Sequence, residues 1–416
     1  MQRPATSDVI SRPNTSPLPS RAPDNTLLHQ YPTIPMMREG ARKKLPYFAF
    51  AYLDGGAGED SGIARNWRAL DAVELVPRYG VSTELPPIET ELFGRRYAGP
   101  FGVAPMGSPS LGFPGADRHL ATAAQAARLP YTLSAVGGMT IEEAATVAPD
   151  VLWFQLPRLP RDNHKIGFDM VRRAEEASAH VLVLTMDTPT RTIRPRETRS
   201  GIRSPFRPDL RMMLSILASP SWFAAMRRYG VPRLASFQRY APNANLAQMT
   251  EFVRKQASGA FTWDEVAMYR ERWKRPLLVK GIVHPGDAER AVALGCDGVV
   301  VSVHGGRQIE ALPAPIDALP AVAAAVGQRA TVIMDSGVRS GTDVVRALAL
   351  GAHAAFMGKG FMWSLGALGA DGPMHAMDLL IDETKAALGQ IGARSVPEAR
   401  AAEVRHPAAF RFSSPA

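Results

Sequence analysis

Short apolar runs alternate with helix-forming segments over most of the chain, beginning near residue 99. Eight of these runs have the length of a strand, and they cover residues 101–105, 131–135, 151–155, 181–187, 276–281, 298–302, 331–335 and 354–358. Helix formers lie between them, for example at residues 118–127, 141–147, 171–179, 287–294 and 342–350. Continuous apolar strands alternating with helices indicate a parallel sheet covered on both faces. Eight such units predict an α/β fold, with a closed (β/α)8 TIM barrel favoured over an open sheet.

The segments outside this repeat predict tails, a cap and an insert. Residues 1–35 are rich in Pro, Ser, Thr and Asn and predict a disordered or loosely attached tail. A barrel domain is predicted over residues 36–400, with 36–98 as its N-terminal cap, and 401–416 are predicted as a C-terminal tail. The segment 190–275, after the fourth strand, is too long for a simple crossover.

This segment, called the insert below, contains apolar and basic stretches at residues 211–217 and 222–229. Its middle, residues 232–257, has the composition of a loop. We interpret the insert as an active-site lid that also contacts another subunit. Peripheral membrane contact is the alternative suggested by its basic amphipathic character, and a plain surface excursion against a neighbouring subunit is the simplest one.

The composition narrows the class of protein. The 416 residues are 46% hydrophobic, enough for a sizeable core, and include one cysteine, Cys296. A single cysteine excludes an internal disulfide framework and multi-cysteine zinc or iron–sulfur sites. The charge of +9 comes from scattered arginines without a basic, aromatic stripe, so nucleic-acid binding is not expected. With no apolar run of 18 residues and no signal peptide, we expect a cytoplasmic protein, with attachment to the inner membrane face as the alternative.

Polar side chains stand at the ends of six predicted strands. They are Ser134, Gln155, Asp187, Lys280, His304 and Asp335. A barrel gathers its strand ends on one face, where active sites form, so these side chains are expected to meet there.

His304 and Arg307 leave the sixth strand together in a glycine-containing loop, residues 302–308. Histidine accepts protons near neutral pH, and arginine binds a carboxylate through two parallel donors. A base beside a carboxylate-binding arginine is what the oxidation of a 2-hydroxy acid requires. The alternative is a loop in which both side chains only cap a helix or pair with surface carboxylates.

Lys280 ends the fifth strand inside an apolar run, where burying an unpaired ammonium is costly. We expect it to pair with Asp187 or to stabilise a reduced, anionic cofactor ring. Asp187 is expected to orient His304, or else to form a salt bridge with a barrel arginine. The remaining histidines show no metal-ligand spacing, and no metal site is expected.

Two glycine-containing loops follow the seventh and eighth strands, at residues 334–341 and 356–360. Glycines let a backbone approach phosphate oxygens closely, and Arg339 and Lys359 add positive charge. Many barrels hold a phosphate in these two loops, whereas plain tight turns would explain the glycines but not both cations. The chain has no Gly-x-Gly-x-x-Gly motif after an early strand, so a Rossmann nicotinamide site is not expected.

These features occur together in one known family. The chain resembles the FMN-dependent 2-hydroxy-acid oxidases and dehydrogenases, the group of glycolate oxidase, lactate oxidase and mandelate dehydrogenase, over residues 45–400. The stretches that carry the resemblance are residues 52–57, 104–107, 153–156, 185–189, 279–281, 302–308 and 335–341. The resemblance implies a TIM barrel that binds FMN and assembles as a homotetramer or octamer.

The resemblance also implies residue roles. His304 matches the family's base, Asp187 its partner, and Arg307 and Tyr52 the groups that hold the substrate carboxylate. Arg196 matches a second substrate arginine, although its spacing from Asp187 is stretched by about two residues. The implied FMN-binding residues are Ala104, Pro105, Met106, Ser134, Gln155, Thr185, Lys280, Ser302, Asp335, Gly337, Arg339, Gly358 and Lys359.

Five positions depart from the family pattern. Pro157 replaces a tyrosine on the substrate side, Val303 an asparagine, Ser336 a glycine and Lys359 an arginine. Val136 stands where some members carry a bulky aromatic residue. The changes at 157 and 136 predict a roomier pocket and a substrate larger than glycolate or lactate.

The predicted activity is therefore FMN-dependent oxidation of an L-2-hydroxy acid larger than lactate to its 2-oxo acid. Oxygen, a quinone or a carrier protein is the expected electron acceptor. Alternatives are an oxidative decarboxylase acting as a monooxygenase, an isomerase of isoprenoid diphosphates on a related FMN barrel, or a non-catalytic flavin-binding protein. Pro157 favours the last of these, and the retention of His304, Asp187 and Arg307 speaks against it.

Overall fold

The N-terminal part of the chain forms a cap of helices and short strands. The computed structural model describes residues 25–81, 84–190, 192–202 and 210–410. The cap elements are α1 (Asn25–Gln30), α2 (Ile34–Lys44), α3 (Tyr47–Asp54), α4 (Ser61–Asp71), β1 (Glu74–Leu75), β2 (Thr90–Leu92) and β3 (Arg95–Tyr97). Strands β2 and β3 pair in antiparallel orientation just before the barrel begins.

Eight parallel strands form the closed barrel that the apolar runs predict, so the predicted fold is confirmed. They are β4 (Phe101–Val103), β5 (Tyr131–Ser134), β6 (Leu152–Leu156), β7 (Leu182–Thr185), β8 (Leu277–Ile282), β9 (Gly298–Val301), β10 (Thr331–Met334) and β11 (Ala354–Met357). Each strand pairs with the next along the chain, and the barrel closes where β11 pairs with β4, Phe356 opposite Gly102. Nearly all strand residues are buried because helices cover the outer face and side chains fill the interior.

The helices after the cap surround the barrel and build the insert. They are α5 (Pro109–Gly112), α6 (Ala116–Ala127), α7 (Ile141–Val147), α8 (Arg161–Glu176), α9 (Pro195–Arg199), α10 (Leu210–Leu217), α11 (Pro220–Tyr229), α12 (Leu246–Gln256), α13 (Trp263–Arg272), α14 (Pro285–Ala293), α15 (Pro315–Val326), α16 (Gly341–Ala349), α17 (Lys359–Leu368), α18 (Gly372–Ile391) and α19 (Val396–Ala399). The last strand is β12 (Val404–Arg405).

The ordered fold extends into both predicted tails. Helix α1 and the fully buried Ile34 lie within the predicted tail 1–35, of which residues 1–24 fall outside the described part. Ile34 and Ala41 belong to an apolar stripe of α2 that packs on α17, where a Cβ added to Gly366 would lie 2.7 Å from the Cβ of Ala41. At the other end, β12 pairs with β1, which fixes residues that the sequence assigns to the C-terminal tail.

The middle of the insert is helical, so the prediction of a loop over residues 232–257 is wrong. Helix α12 lies there, together with a 3₁₀ turn at Ala235–Tyr240. Asn245 and Gln248 start the helix with a capping box, in which each side chain accepts a 2.9 Å hydrogen bond from the other's backbone N–H. Met249 and Val253 then bury the apolar side of α12. The Asn-x-x-Gln spacing was the available signal.

Candidate active site

A histidine–aspartate pair stands at the carboxyl ends of β7 and β9. The Nδ1 atom of His304 lies 3.0 Å from Oδ1 of Asp187, whose side chain is only 8% exposed. His304 has a left-handed backbone, with φ of 55°, and its N–H donates to Oγ of Ser302. Because a carboxylate accepts only from a protonated nitrogen, Nδ1 carries the hydrogen and Nε2 is the basic nitrogen of the ring. His304 also lines a cleft between the strand ends and the cap.

Lys280 lies behind this pair and is almost completely buried. Its Nζ is 2.6 Å from Oγ of Ser302, 3.2 Å from Oδ2 of Asp335 and 3.9 Å from Oδ2 of Asp187. Burial would lower the pKa of Lys280, but the charges of Asp335 and Asp187 outweigh burial and raise it. Burial would likewise raise the pKa of Asp187, but Lys280 and His304 outweigh burial and hold it below its ordinary value. Lys280 and Asp187 are therefore both charged at neutral pH, and they form the charged cluster of this site.

Three neighbouring strand ends carry a chain of buried polar groups. Ser134 Oγ donates to Oε1 of Gln155 at 2.6 Å, and Gln155 Nε2 donates to Oγ1 of Thr185 at 2.8 Å. All three residues are at least 94% buried, and Ser134 stands opposite Gln155 in the register of β5 and β6. This chain of hydrogen bonds fixes the orientation of the Gln155 amide.

Arg307 contacts the cap and the insert together. Its Nη1 donates to the carbonyl oxygens of Tyr52 at 2.7 Å and Gly55 at 2.9 Å, and its Nη2 donates to the buried carboxylate of Glu197. These bonds use three of the five guanidinium N–H groups, which leaves donors for another acceptor. The guanidinium lies 5.1 Å from the Tyr52 ring, whose hydroxyl donates to the carbonyl of Gly107. Arg307 and Tyr52 both line the cleft.

The structure separates the two arginines of the early insert. Neither of them lines the cleft, and Arg196 forms ion pairs with Asp54 at 2.9 Å and Asp60 at 2.8 Å. Arg194 instead donates from Nε to the carbonyl of Arg307 at 3.1 Å, and it also contacts Glu197. Choosing Arg194 removes the two-residue stretch that the assignment of Arg196 requires, so Arg194 is the better candidate for the second arginine.

The two glycine-containing loops both contribute to the cleft wall. Gly337 has a φ of 114°, which favours glycine, and Lys359 opens helix α17. Nζ of Lys359 donates to the carbonyls of Asp54 at 3.0 Å and Gly55 at 3.2 Å. Burial and the nearby charge of Arg307 lower the pKa of Lys359 to about 7.

Arg339 turns away from the cleft. Its guanidinium lies 2.6 Å from Oδ1 of Asp71 and 3.2 Å from Oδ2 of Asp343. Of the two cations predicted near a phosphate, the structure therefore brings only Lys359 to the cleft wall, among the residues it describes.

The cleft lies between the strand ends and the cap. The residues predicted from the sequence that line it are Tyr52, Ala104, Pro105, Met106, Lys280, His304, Arg307, Asp335, Gly337, Gly358 and Lys359. The predicted residues that lie behind or outside its wall are Ser134, Gln155, Thr185, Asp187, Arg196, Ser302 and Arg339.

The profile of the family described as FMN-dependent dehydrogenase matches residues 41–406. The chain belongs to the FMN-dependent dehydrogenase family. The resemblance stated from the sequence motifs is thereby confirmed, as are FMN as the cofactor and an oxidoreductase activity on the CH–OH group of a 2-hydroxy acid.

Relatives and solved structures agree with this membership. The chain is 36% identical over 365 residues to an L-lactate dehydrogenase of Azorhizobium caulinodans, covering 87% of this chain and 95% of the relative. An L-lactate dehydrogenase of Caulobacter vibrioides is 37% identical over 363 residues, with coverage of 86% and 94%. The monotopic membrane protein (S)-mandelate dehydrogenase superposes with a TM-score of 0.83 at 32% identity, covering 88% and 96%. Mandelate oxidase with (S)-4-hydroxymandelic acid gives a TM-score of 0.78 at 34% identity, covering 90% and 99%.

The cleft of this protein fits FMN in charge and in chemistry. The N-terminus of the ten-residue helix α17 and the Lys359 ammonium suit a phosphate. The buried Lys280 ammonium suits a ring system that becomes negatively charged. The buried amide of Gln155 is held in a fixed orientation by Ser134 and Thr185.

Sequence reasoning missed Arg194 and Glu197, and it recorded Ser336 only as a departure. Glu197 is 3% exposed although it lies in the insert, and its partner Arg307 is 110 residues away. A carboxylate in the run Arg-Pro-Arg-Glu could have been predicted to pair with an arginine, but the sequence does not identify that arginine as Arg307.

Among the described residues, no helix is long and apolar enough to cross a membrane.

Proposed function

We propose that this protein oxidises an L-2-hydroxy acid larger than lactate to the 2-oxo acid, with His304 as base and Arg307 as the carboxylate ligand. The observation that carries the proposal is that the His304–Asp187 pair and the Arg307 guanidinium line or adjoin one cleft beside the buried Lys280. A proton acceptor, an anion-binding group and a fixed positive charge are the three elements that this oxidation requires.

Arg307 fixes the substrate by its carboxylate. Three guanidinium N–H groups are held by Tyr52, Gly55 and Glu197, so the plane of the group is fixed before substrate arrives. The remaining N–H groups offer the two-pronged geometry that a carboxylate prefers. Tyr52, whose hydroxyl donates to the carbonyl of Gly107 in the cleft wall, would donate to the carboxylate by exchanging this hydrogen bond. Arg194, rather than Arg196, supports this end of the site through the carbonyl of Arg307.

His304 takes the proton as the hydroxy acid is oxidised. Asp187 keeps Nδ1 protonated, so Nε2 is available as the acceptor, and its negative charge stabilises the imidazolium that results. Asp187 remains ionised for this role because Lys280 lowers its pKa. The charge on Asp187 is thus set before the reaction begins, and no reorganisation is needed during it.

Bound FMN would accept the two electrons removed from the substrate. Ala104, Pro105, Met106, Ser134, Gln155 and Thr185 would hold the ring edge, and Lys280 would place its positive charge beside it. Ser302 and Asp335 would hold Lys280 in place, since both contact its ammonium. Gly337, Gly358 and Lys359 would hold the phosphate, with Arg339 supporting the same loop through Asp343.

Two small side chains support a substrate larger than lactate. Pro157 and Val136 stand where bulkier residues occur in the resembled family. Both lie outside the residues that line the cleft, and a Val136 methyl packs behind Gly107, which does line it, 3.3 Å from where a Cβ of that glycine would stand. The relatives named L-lactate dehydrogenase and the neighbours named mandelate dehydrogenase or oxidase bracket the size range. We therefore expect 2-hydroxy acids with branched or aromatic side chains to react faster than lactate.

The test is an anaerobic titration of the FMN-loaded protein with L- and D-2-hydroxy acids from glycolate to mandelate and longer chains. We expect bleaching of the flavin absorption by L acids larger than lactate and not by D acids. Readmitting air then separates an oxidase from a dehydrogenase, and analysis of the product separates a 2-oxo acid from a decarboxylated acid. Fastest reaction with lactate would overturn the proposed substrate size, and no bleaching by any acid would overturn the proposed activity.

We also propose that helix α10 of the insert attaches the protein to an anionic membrane surface. Leu210, Met213, Leu214 and Leu217 recur at helical spacing and are 48% to 68% exposed. Exposed arginines follow in α11, at positions 227 and 228. An apolar face beside basic residues suits a lipid interface, and a solved neighbour is a monotopic membrane protein. A quinone then becomes the favoured electron acceptor over oxygen or a carrier protein.

Sedimentation with phosphatidylglycerol vesicles tests the attachment. We expect the protein to sediment with the vesicles, and Leu217→Glu to weaken this. Leu85→Glu is the matched control, because Leu85 in the cap is 67% exposed and Leu217 is 65% exposed. Equal losses in both variants, or a wild-type protein that stays in the supernatant, would contradict membrane contact and favour a subunit contact instead.

A further inference from the structure

Ser336 holds an unusual backbone conformation beside the catalytic loop. It lies between Asp335 and Gly337 at the end of β10, lines the cleft and is 9% exposed. Its φ is 75°, in the left-handed region that favours glycine. A serine retained in this conformation calls for a compensating interaction of its side chain.

The compensation is a set of hydrogen bonds to the loop that carries His304. Oγ of Ser336 accepts from the backbone N–H of Val303 at 3.2 Å and of Gly305 at 2.8 Å. Since both N–H groups point at the oxygen, the hydroxyl proton is free to donate to Oδ1 of Asp335, 2.9 Å away. The two bonded N–H groups flank His304 on either side.

The loop is a tight turn, in which the N–H of Gly306 also donates to the carbonyl of Val303 at 3.0 Å. His304, Gly305 and Gly306 are all left-handed, with φ values of 55°, 66° and 74°. The N–H of His304 itself donates to Oγ of Ser302 at 3.1 Å. Two serine hydroxyls therefore satisfy three consecutive backbone donors of this turn, and a buried donor without a partner is costly.

The hydroxyls of Ser302 and Ser336 are both connected to the ammonium group of Lys280, the first directly and the second through Asp335. Lys280 donates to Oγ of Ser302 at 2.6 Å and pairs at 3.2 Å with Asp335, which accepts from Ser336. The backbone position of His304 is in this way tied to the charged cluster that adjoins Asp187.

We propose that Ser336 is a positioning residue, which sets the orientation of the His304 imidazole toward Asp187 through the backbone of residues 303–305. The inference deepens the proposed function, because it concerns the group assigned there as the base. Ser336 acts through the loop, and the proposal gives it no direct part in proton transfer.

Two substitutions separate the hydroxyl from the backbone strain. Ser336→Gly removes the hydroxyl and suits the left-handed backbone, so this variant is expected to fold. Ser336→Ala removes the hydroxyl and keeps the strain. Ser364→Ala is the matched control, because Ser364 is fully buried and its hydroxyl donates to a carbonyl within α17, away from the cleft wall.

The first readout is independent of turnover. In FMN-loaded protein labelled with ¹⁵N-histidine, the Nδ1 proton of His304 is identified by its loss in His304→Gln. We expect its exchange with water to accelerate by about tenfold or more in both Ser336 variants, because a looser turn opens the hydrogen bond to Asp187 more often. The Ser364→Ala protein keeps the wild-type exchange rate.

The second readout is catalytic. We expect kcat to fall by about 10- to 100-fold in both Ser336 variants with little change in KM, since a small misplacement of a reacting group slows chemistry more than binding. Wild-type proton exchange in folded Ser336→Gly and Ser336→Ala would overturn the proposal, whatever happens to kcat. If no 2-hydroxy acid reduces the wild-type flavin, the proposed function fails, while the exchange measurement still decides the role of Ser336.

Discussion

Replacing Asp187 with asparagine tests whether a fixed negative charge beside His304 drives the oxidation. The two side chains are 3.0 Å apart, and Asp187 is 8% exposed, so solvent screens the pair weakly. For charge centres about 4 Å apart at an effective dielectric of about 20, their attraction is about 4 kcal/mol. Lys280, 3.9 Å from Asp187, stays positively charged in the variant and disfavours a neighbouring imidazolium further. Flavin reduction should therefore slow by about 10³-fold.

The measurement is anaerobic stopped-flow reduction of the bound flavin by the preferred 2-hydroxy acid. Asp187→Asn should keep its FMN and bind substrate with nearly unchanged affinity, because Arg307 is untouched. Asp187→Glu keeps the charge but shifts it by one methylene, and it should retain more activity than the asparagine variant. If Asp187→Asn reduces its flavin at a rate within about tenfold of the wild type, the charge of Asp187 contributes less than about 1.4 kcal/mol and the reasoning is refuted.

Three further predictions concern the cations of the site. Arg307→Lys loses the two-pronged donor set and should raise KM by about 10- to 100-fold in steady-state assays, and an unchanged KM would argue against its role. Arg194→Ala should raise KM about tenfold. Arg196→Ala should leave KM within about twofold and lower the melting temperature, because it loses the ion pair with Asp54. A rise in KM for Arg196→Ala alone would restore Arg196 to the site. The pKa of Lys359 in the free protein is about 7, and a bound phosphate raises it, so fluorescence titration should show FMN affinity falling about tenfold per pH unit above pH 7. In Lys359→Arg that dependence should be absent, and a flat wild-type profile would contradict the assignment.

The barrel and its ring of polar strand ends could be predicted because each strand obeys a local rule. An apolar run of fixed length ends in a polar residue, and parallel strands in a barrel must bring those ends together. Lys280 was identifiable for the same reason, since a lysine inside an apolar run needs buried partners. Its partners Asp187 and Asp335 both come from strand ends.

The insert could not be predicted as well, because no repeating pattern fixes its register. The capping box at Asn245 was a readable local signal, whereas the pairing of Glu197 with Arg307 depends on how the insert folds back over the barrel. Ser336 illustrates the same limit in the barrel itself. Between Asp335 and Gly337 it has the sequence of an ordinary turn, and its hydrogen-bond donors lie 31 and 33 residues away.

Two positively charged side chains of the barrel contact the C-terminal end of helix α3. Arg307 and Lys359 together donate to the carbonyls of Tyr52, Asp54 and Gly55, which lie at or just after the last turn of α3. Such carbonyls have no partner within a helix and carry its negative partial charge. The cap therefore contacts the barrel through Arg307 and Lys359, the two side chains proposed to bind the substrate carboxylate and the cofactor phosphate. Because a bound anion would compete with these carbonyls for the same N–H donors, we expect ligand exchange to alter the contacts that hold the end of α3.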